Sequence, residues 1–141
     1  MIKKDFNISK APDPVGAYPH SKRVGDLLFL SGIGPRNPED NSIPGLKLDG
    51  DIKLSYDFKA ECHSVFKNVK TVLEESGASW EDLVDITVFL TNIKRDFATF
   101  NSIYNQYFKN NKPCRTTIEI NSLPTPISIE LKCIAFLGRN K

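Results

Sequence analysis

Residues 57–91 read DFKAECHSVFKNVKTVLEESGASWEDLVDITVFLT, and two different periods inside them decide the fold. Phe58, Cys62, Val65, Phe66, Val69, Val72 and Leu73 recur at spacings of three and four, which gathers them on one stripe of a helix. Lys59, Glu61, Lys67, Lys70 and Glu74 occupy the other side. Ser55 or Asp57 supplies the N-terminal cap, and Gly77 closes the last turn. From Val84 the period drops to two. Val84, Ile86, Val88 and Leu90 alternate with Asp85, Thr87, Phe89 and Thr91, which marks a strand with one buried face. The helix therefore has a sheet to lie on.

Outward from this unit the same two periods recur. Leu27-Leu28-Phe29-Leu30-Ser31 is a short apolar run between Gly25 and Gly32, and Val24-Gly25-Asp26 makes a hairpin turn before it. Asp96 opens a second helical stripe through Phe97, Phe100, Tyr104, Tyr107 and Phe108. Thr116, Ile118 and Ile120 mark another strand. Ile129, Leu131, Cys133 and Ala135 mark a last one, alternating with Ser128, Glu130, Lys132, Ile134 and Phe136. Residues 33–51 hold Gly34, Pro35, Pro38, Pro44, Gly45 and Gly50 and read as a long, functional loop. Residues 1–14 are a polar lead-in, and residues 15–137 form a single domain. The order strand-strand, helix, strand, helix, strand, strand predicts an α+β fold with two helices on one face of a mixed sheet. Thr87, Phe89, Thr117, Ile134 and Phe136 are expected on the other face. An apolar patch there reads as a contact between copies of the chain, although many antiparallel sheets leave a semi-polar face in water.

Composition narrows the function classes. Nineteen basic and seventeen acidic side chains leave a net charge of +2 among 141 residues, without the dense basic face of a nucleic-acid binder. No apolar run approaches the roughly 20 residues that span a bilayer, and nothing reads as a secretory signal. Cys62, Cys114 and Cys133 lack metal-ligand spacing and suit a reducing cytoplasmic interior. No phosphate-cradling glycine loop, nucleophile elbow or paired-histidine helix is present. Chemistry without a metal or cofactor, carried by few groups, is the expectation.

Two residues lead the candidates. Arg115 opens a strand behind Lys112-Pro113-Cys114, and its planar fork suits a carboxylate; a solvent-exposed surface arginine is the plainer reading. Glu130 sits within an apolar strand, where a carboxyl is either paired with a lysine or held with a raised pKa suited to proton transfer. Tyr18 and His20 either orient a substrate or anchor the N-terminal segment. Cys114 lacks a visible base, and His63 reads as surface.

The ordered segments Ala11-Pro12, Gly16-Ala17-Tyr18, Leu28-Phe29-Leu30-Ser31-Gly32, Asn68-Val69 through Gly77-Ala78, Val88-Phe89-Leu90-Thr91, Asp96-Phe97 with Asn101, Pro113-Cys114-Arg115-Thr116-Thr117, Leu123-Pro124 and Ile129-Glu130-Leu131 resemble the Rid family of reactive-intermediate imine and enamine deaminases. Eukaryotic members of that family are also described as endoribonucleases. The resemblance spans roughly residues 11–137. It implies a chorismate-mutase-like fold and a homotrimer with clefts between subunits. It implies Arg115 as the carboxylate anchor and Glu130 as the group that activates water. Tyr18, the Ser31–Gly32 backbone, Asn101 and Thr117 would line the cleft, with Thr117 standing where Cys or Ser is common.

Ser31-Gly32-Ile33-Gly34-Pro35-Arg36 departs from the common Ser-Gly-Gln-Ile-Pro pattern. With Tyr18-Pro19-His20, Lys22-Arg23 and Pro126 it looks more like the 2-aminomuconate deaminase branch. A dicarboxylate needs a second cation, for which Arg36 is the candidate. The expected function is hydrolysis of a small carboxylate-bearing imine or enamine such as 2-aminomuconate or 2-aminoacrylate. An RNA-acting protein and a non-catalytic carboxylate-binding trimer are the rivals.

Overall fold

A computed structural model describes residues 1–138. In chain order the elements are β1 (Lys3–Phe6), β2 (Ser21–Val24), β3 (Leu27–Leu30), β4 (Lys47–Asp49), β5 (Ile52–Ser55), α1 (Phe58–Glu75), a 3-10 turn (Trp80–Asp82), β6 (Leu83–Leu90), α2 (Ile93–Tyr107), β7 (Cys114–Glu119) and β8 (Ile129–Phe136). Six strands make one sheet in the order β1-β2-β3-β8-β6-β7, and β4 and β5 form a separate hairpin. Every neighbour pair in the large sheet is antiparallel except β6 and β7. That parallel pair is joined through α2, the crossover such a pair requires. It leaves β7 at the sheet edge. No helix among the described residues is long and apolar enough to cross a membrane.

The α+β architecture with two helices on a mixed sheet is the one the periods predict. All seven residues of the α1 stripe are buried. Asp57 caps α1 by accepting from the Ala60 amide. At the other end Gly77 takes φ +83°, and the Ala78 amide donates back to the Leu73 carbonyl at 2.9 Å. Ile86, Val88 and Leu90 from β6 and Ile129, Leu131, Cys133 and Ala135 from β8 are fully buried beneath the helices.

Several local expectations change. The lead-in 1–14 carries the edge strand β1, paired with β2 from Lys3↔Val24 to Phe6↔Ser21. The long loop 33–51 is partly ordered by a bridge between Ile33 and Leu131 and by the β4–β5 hairpin. Val84 is 41% exposed and Leu83 is buried instead, because a register shift between Leu83 and Asp85 inverts the alternation there. Asn92, not Asp96, caps α2. Thr117 lies on the helix face: β7 runs in parallel register with β6, so Arg115 faces with Ile86 and Thr117 with Val88. Thr116 and Ile118 take the open face instead, which Thr87, Phe89, Ile134 and Phe136 share as expected.

The core encloses one carboxyl that α-helical patterning assigned to the surface. Glu61 is 1% exposed. Its Oε1 accepts the Ser128 amide at 2.8 Å, which ties α1 to the start of β8. Among the described residues, its Oε2 and the Ser128 hydroxyl are buried with no partner at hydrogen-bonding geometry. Burial raises the Glu61 pKa. The unfolded value is about 4.3. Between that and the raised value, the folded chain keeps a proton that the unfolded chain has shed. The contribution to stability is therefore complete below the unfolded value and declines as pH rises through the folded one. Glu61→Gln is expected to raise stability at pH 7 by about 1 kcal/mol and to flatten the pH dependence of the melting temperature. An unchanged or lower midpoint at pH 7 contradicts this.

Candidate active site

Arg115 enters β7 two residues after Pro113, at the edge of the sheet and on its helix side. Phe97, Phe100, Asn101 and Tyr104 lie at helical spacing on α2 and face it. The guanidinium sits 4.6 Å from the Tyr104 ring centroid, 5.5 Å from Phe100 and 5.9 Å from Phe97, distances at which ring faces attract a cation. Nη1 donates to Asn101 Oδ1 at 2.9 Å. Among the described residues no carboxylate lies within ion-pair distance. An arginine offers five donors, and here one hydrogen bond holds it while rings support its face. Thr117 follows on the same face, its hydroxyl buried and, among the described residues, unpartnered.

Glu130 sits on the other face of the sheet. Ile129 and Leu131 beside it are fully buried, so alternation along β8 turns Glu130 outward. The pairing with a lysine does not occur. Lys132 Nζ instead donates to the Leu30 carbonyl at 2.6 Å. Among the described residues, Glu130 has neither a hydrogen bond nor an ion pair, and desolvation alone raises its pKa. The carboxyl rests against Gly32, where an added Cβ would lie 2.9 Å from both Cδ and Oε1. Glycine at 32 is thus what lets the carboxyl lie flat on the backbone.

A cleft opens beside Gly32, between the N-terminal segment, residues 31–36 and α1, lined by Tyr18, His20, Ser31, Gly32, Arg36 and Asn68. Its polar side chains are committed. Tyr18 OH accepts the Val15 amide at 3.1 Å, and Ser31 Oγ donates to the Pro19 carbonyl at 2.7 Å. His20 Nδ1 accepts the Ile8 amide, so the ring proton lies on Nε2, which donates to the Pro12 carbonyl. Arg36 donates to the Asn41 side chain at 3.0 Å and to the Asp13 carbonyl at 2.7 Å. Asn68 donates to the carbonyls of Gly34 and Arg36. These groups strap residues 8–18 onto the domain.

The structure therefore gathers the expected residues into two places. Tyr18, Ser31, Gly32 and Arg36 meet on the cleft, with Glu130 against Gly32. Arg115, Asn101 and Thr117 meet at the β7 edge on the helix face, across the sheet from Glu130. Phe89 links the two by register, opposite Glu130 on β8 and beside Ile118 on β7. Arg115 is three residues from Ile118 and two strands from Glu130, which sets the Cα atoms roughly 14 Å apart on opposite faces. Sequence reasoning missed the aromatic seat of Arg115, although positions 97, 100, 101 and 104 share one helix face. It also missed the Gly32–Glu130 contact, which has no local signal. Among the described residues no group of three His, Cys, Asp or Glu side chains is placed to hold a metal ion.

A model of the family described as endoribonuclease L-PSP matches residues 8–137. A RutC family protein of Pyrococcus abyssi is 38% identical over 136 residues, covering 96% of this chain and 98% of its own. The structure of YyfA, a protein of the Rid family from Yersinia pestis, has a TM-score of 0.82 at 29% identity, covering 96% of this chain and 99% of that one. TdcF of E. coli, solved with bound serine, has a TM-score of 0.82 at 29% identity, covering 95% and 98%.

The contact at Gly32 makes a prediction independent of any reaction. In Gly32→Ala the Glu130 carboxyl is displaced toward water, and its pKa, followed by NMR titration, falls back toward the ordinary glutamate value of about 4.3. An unchanged titration would mean that the contact does not govern this carboxyl.

Proposed function

This chain belongs to the endoribonuclease L-PSP family, which takes in the Rid and RutC proteins, and on that footing we propose that it is a hydrolytic deaminase of small carboxylate-bearing imines and enamines. The observation that carries the reading is Glu130, an unpaired carboxyl with a raised pKa set against a bare stretch of backbone. Buried ion pairs are the ordinary fate of such a group. One left unpaired against Gly32, whose backbone borders the cleft, suits a group that takes and returns protons.

Arg115 anchors the substrate carboxylate. It has donors to spare and is held from behind by Asn101 and the Tyr104 ring. The substrate enamine first tautomerises to the imine. Glu130 takes a proton from water as the oxygen adds to the C=N carbon and passes it to nitrogen, giving a carbinolamine. It then takes the hydroxyl proton and passes it to the amine as the C–N bond breaks and the carbonyl forms. Imine and water become ketone and ammonia, with no change of oxidation state. Anchoring supplies positioning, worth several kcal/mol of the barrier, and the proton transfer about 10²–10⁴-fold. A substrate of a few carbons cannot reach around a sheet, so the two groups act on it from different copies of the chain. The homotrimer with clefts between subunits is the assembly proposed. TdcF with bound serine, a relative holding a small carboxylate, is consistent with the ligand class.

Arg36 carries the finer proposal of a dicarboxylate such as 2-aminomuconate. Its guanidinium borders the cleft, and a second carboxylate there would compete with Asn41 and the Asp13 carbonyl for its donors. A protein that binds carboxylates without turning them over would keep the Arg115 site and release no ammonia.

Ammonia release from freshly generated 2-aminoacrylate and 2-aminomuconate, measured side by side, tests the proposal. Arg115→Ala is expected to lower kcat/KM by at least ~100-fold, and Glu130→Gln to lower kcat by ~100-fold or more with little change in KM. Because Glu130 must be ionised to accept the proton, wild-type activity should fall as pH drops through its raised pKa, above the ordinary value of about 4.3. Full activity in Glu130→Gln, or no ammonia from either substrate while RNA is cleaved by Arg115→Ala, removes the reading. Arg36→Ala should raise KM for the dicarboxylate alone; equal effects on both substrates remove its special role.

A further inference from the structure

We propose that Lys132 is a positioning residue for Glu130, acting through the backbone of Leu30–Gly32; this rests on Glu130 handling the proton in the reaction above. The pairing of β3 with β8 proceeds in step as far as Phe29↔Ile134. It resumes at Ile33↔Leu131, where the two residues exchange amide-to-carbonyl bonds of 2.9 Å. Between these points three residues on one side, Leu30, Ser31 and Gly32, lie opposite two on the other, Lys132 and Cys133. That count is a β-bulge, which bends a strand and re-aims the residues beside it. Here it presses Gly32 onto the Glu130 carboxyl.

The bulge is pinned from both sides. Toward β2, the Ser31 amide donates to the His20 carbonyl at 3.0 Å and Ser31 Oγ to the Pro19 carbonyl. Toward β8, the pin is the Lys132 ammonium on the Leu30 carbonyl at 2.6 Å. Lys132 and Glu130 are two residues apart on one strand and share the open face, yet the ammonium turns to a backbone oxygen and makes no ion pair with the carboxylate. A charge-assisted bond of this kind is about twice as strong as a neutral one. It holds the shoulder of the bulge while leaving Glu130 unpaired. Without it, the Leu30 carbonyl loses its cation and the stretch 30–32 is freer to move toward in-step pairing. A shift by one residue exchanges faces and takes Gly32 off the carboxyl.

Lys132→Met keeps most of the stem and removes the donor, while Lys132→Arg returns a donor. In the ammonia-release assay Lys132→Met is expected to lower kcat by about 10- to 100-fold with KM nearly unchanged, and Lys132→Arg to recover most of that loss. Amide hydrogen exchange at Ser31, Gly32 and Ile33 should quicken in Lys132→Met relative to β6, and return in Lys132→Arg. Wild-type kcat in Lys132→Met, or unchanged exchange at residues 31–33, overturns the proposal. So does a loss of kcat that Lys132→Arg does not restore. If the unmodified protein releases no ammonia, the reaction itself fails, and the exchange measurement still decides whether Lys132 holds the bulge.

Discussion

The register of β8 is the constraint on which the remainder of the structure depends. Ile129, Leu131, Cys133 and Ala135 are each fully buried under the helices, so the strand cannot slip by one place without driving Glu130 and Lys132 into the core and exposing four apolar side chains. The cost of such a slip, on the order of 1.5–3 kcal/mol for each large apolar side chain exposed, fixes Glu130 outward. Glu61 reinforces it from α1 by holding the Ser128 amide at the start of the strand. The carboxyl on the open face is thus a consequence of core packing, and its lack of a partner is a consequence of where Lys132 goes.

A second register, that of parallel β6 and β7, decides the other half. It places Arg115 in line with Ile86 and turns the guanidinium toward α2, where rings and one amide hold it without neutralising it. The two groups with unspent chemistry consequently face opposite ways. In the reaction proposed, a monomer offers each as half a site. The mechanism proposed for them requires a second copy to bring one chain's arginine to another chain's glutamate.

Periodicity made most of this legible. The stripe from Phe58 to Leu73 and the alternation from Ile129 to Ala135 identified α1 and β8 and put Glu130 on an outward face. What it could not show was where a strand breaks step. Val84 was misplaced because the shift at Leu83–Asp85 has no compositional mark, and the bulge at Leu30–Gly32 is equally silent. Thr117 was assigned to the wrong face because Thr116 and Ile118 look apolar enough to be core, whereas an edge strand tolerates them in the open. The strand at Lys3–Phe6 escaped notice because an exposed edge strand of polar residues carries no hydrophobic period. Residue chemistry singled out Arg115 and Glu130 but left a surface arginine and an ion-paired glutamate open, and the family resemblance gave the two their roles. Their separation is a property of sheet topology, which no local motif encodes.

The most direct measurement is complementation between two inactive variants. Arg115→Ala and Glu130→Gln are each purified, then unfolded together and refolded as a mixture, and ammonia release is compared with that of either variant refolded alone. Groups contributed by different copies predict that the mixture regains activity, because some interfaces then join an intact arginine to an intact glutamate. A mixture as inactive as its components, in refolded material shown to contain both chains in one assembly, would contradict the account.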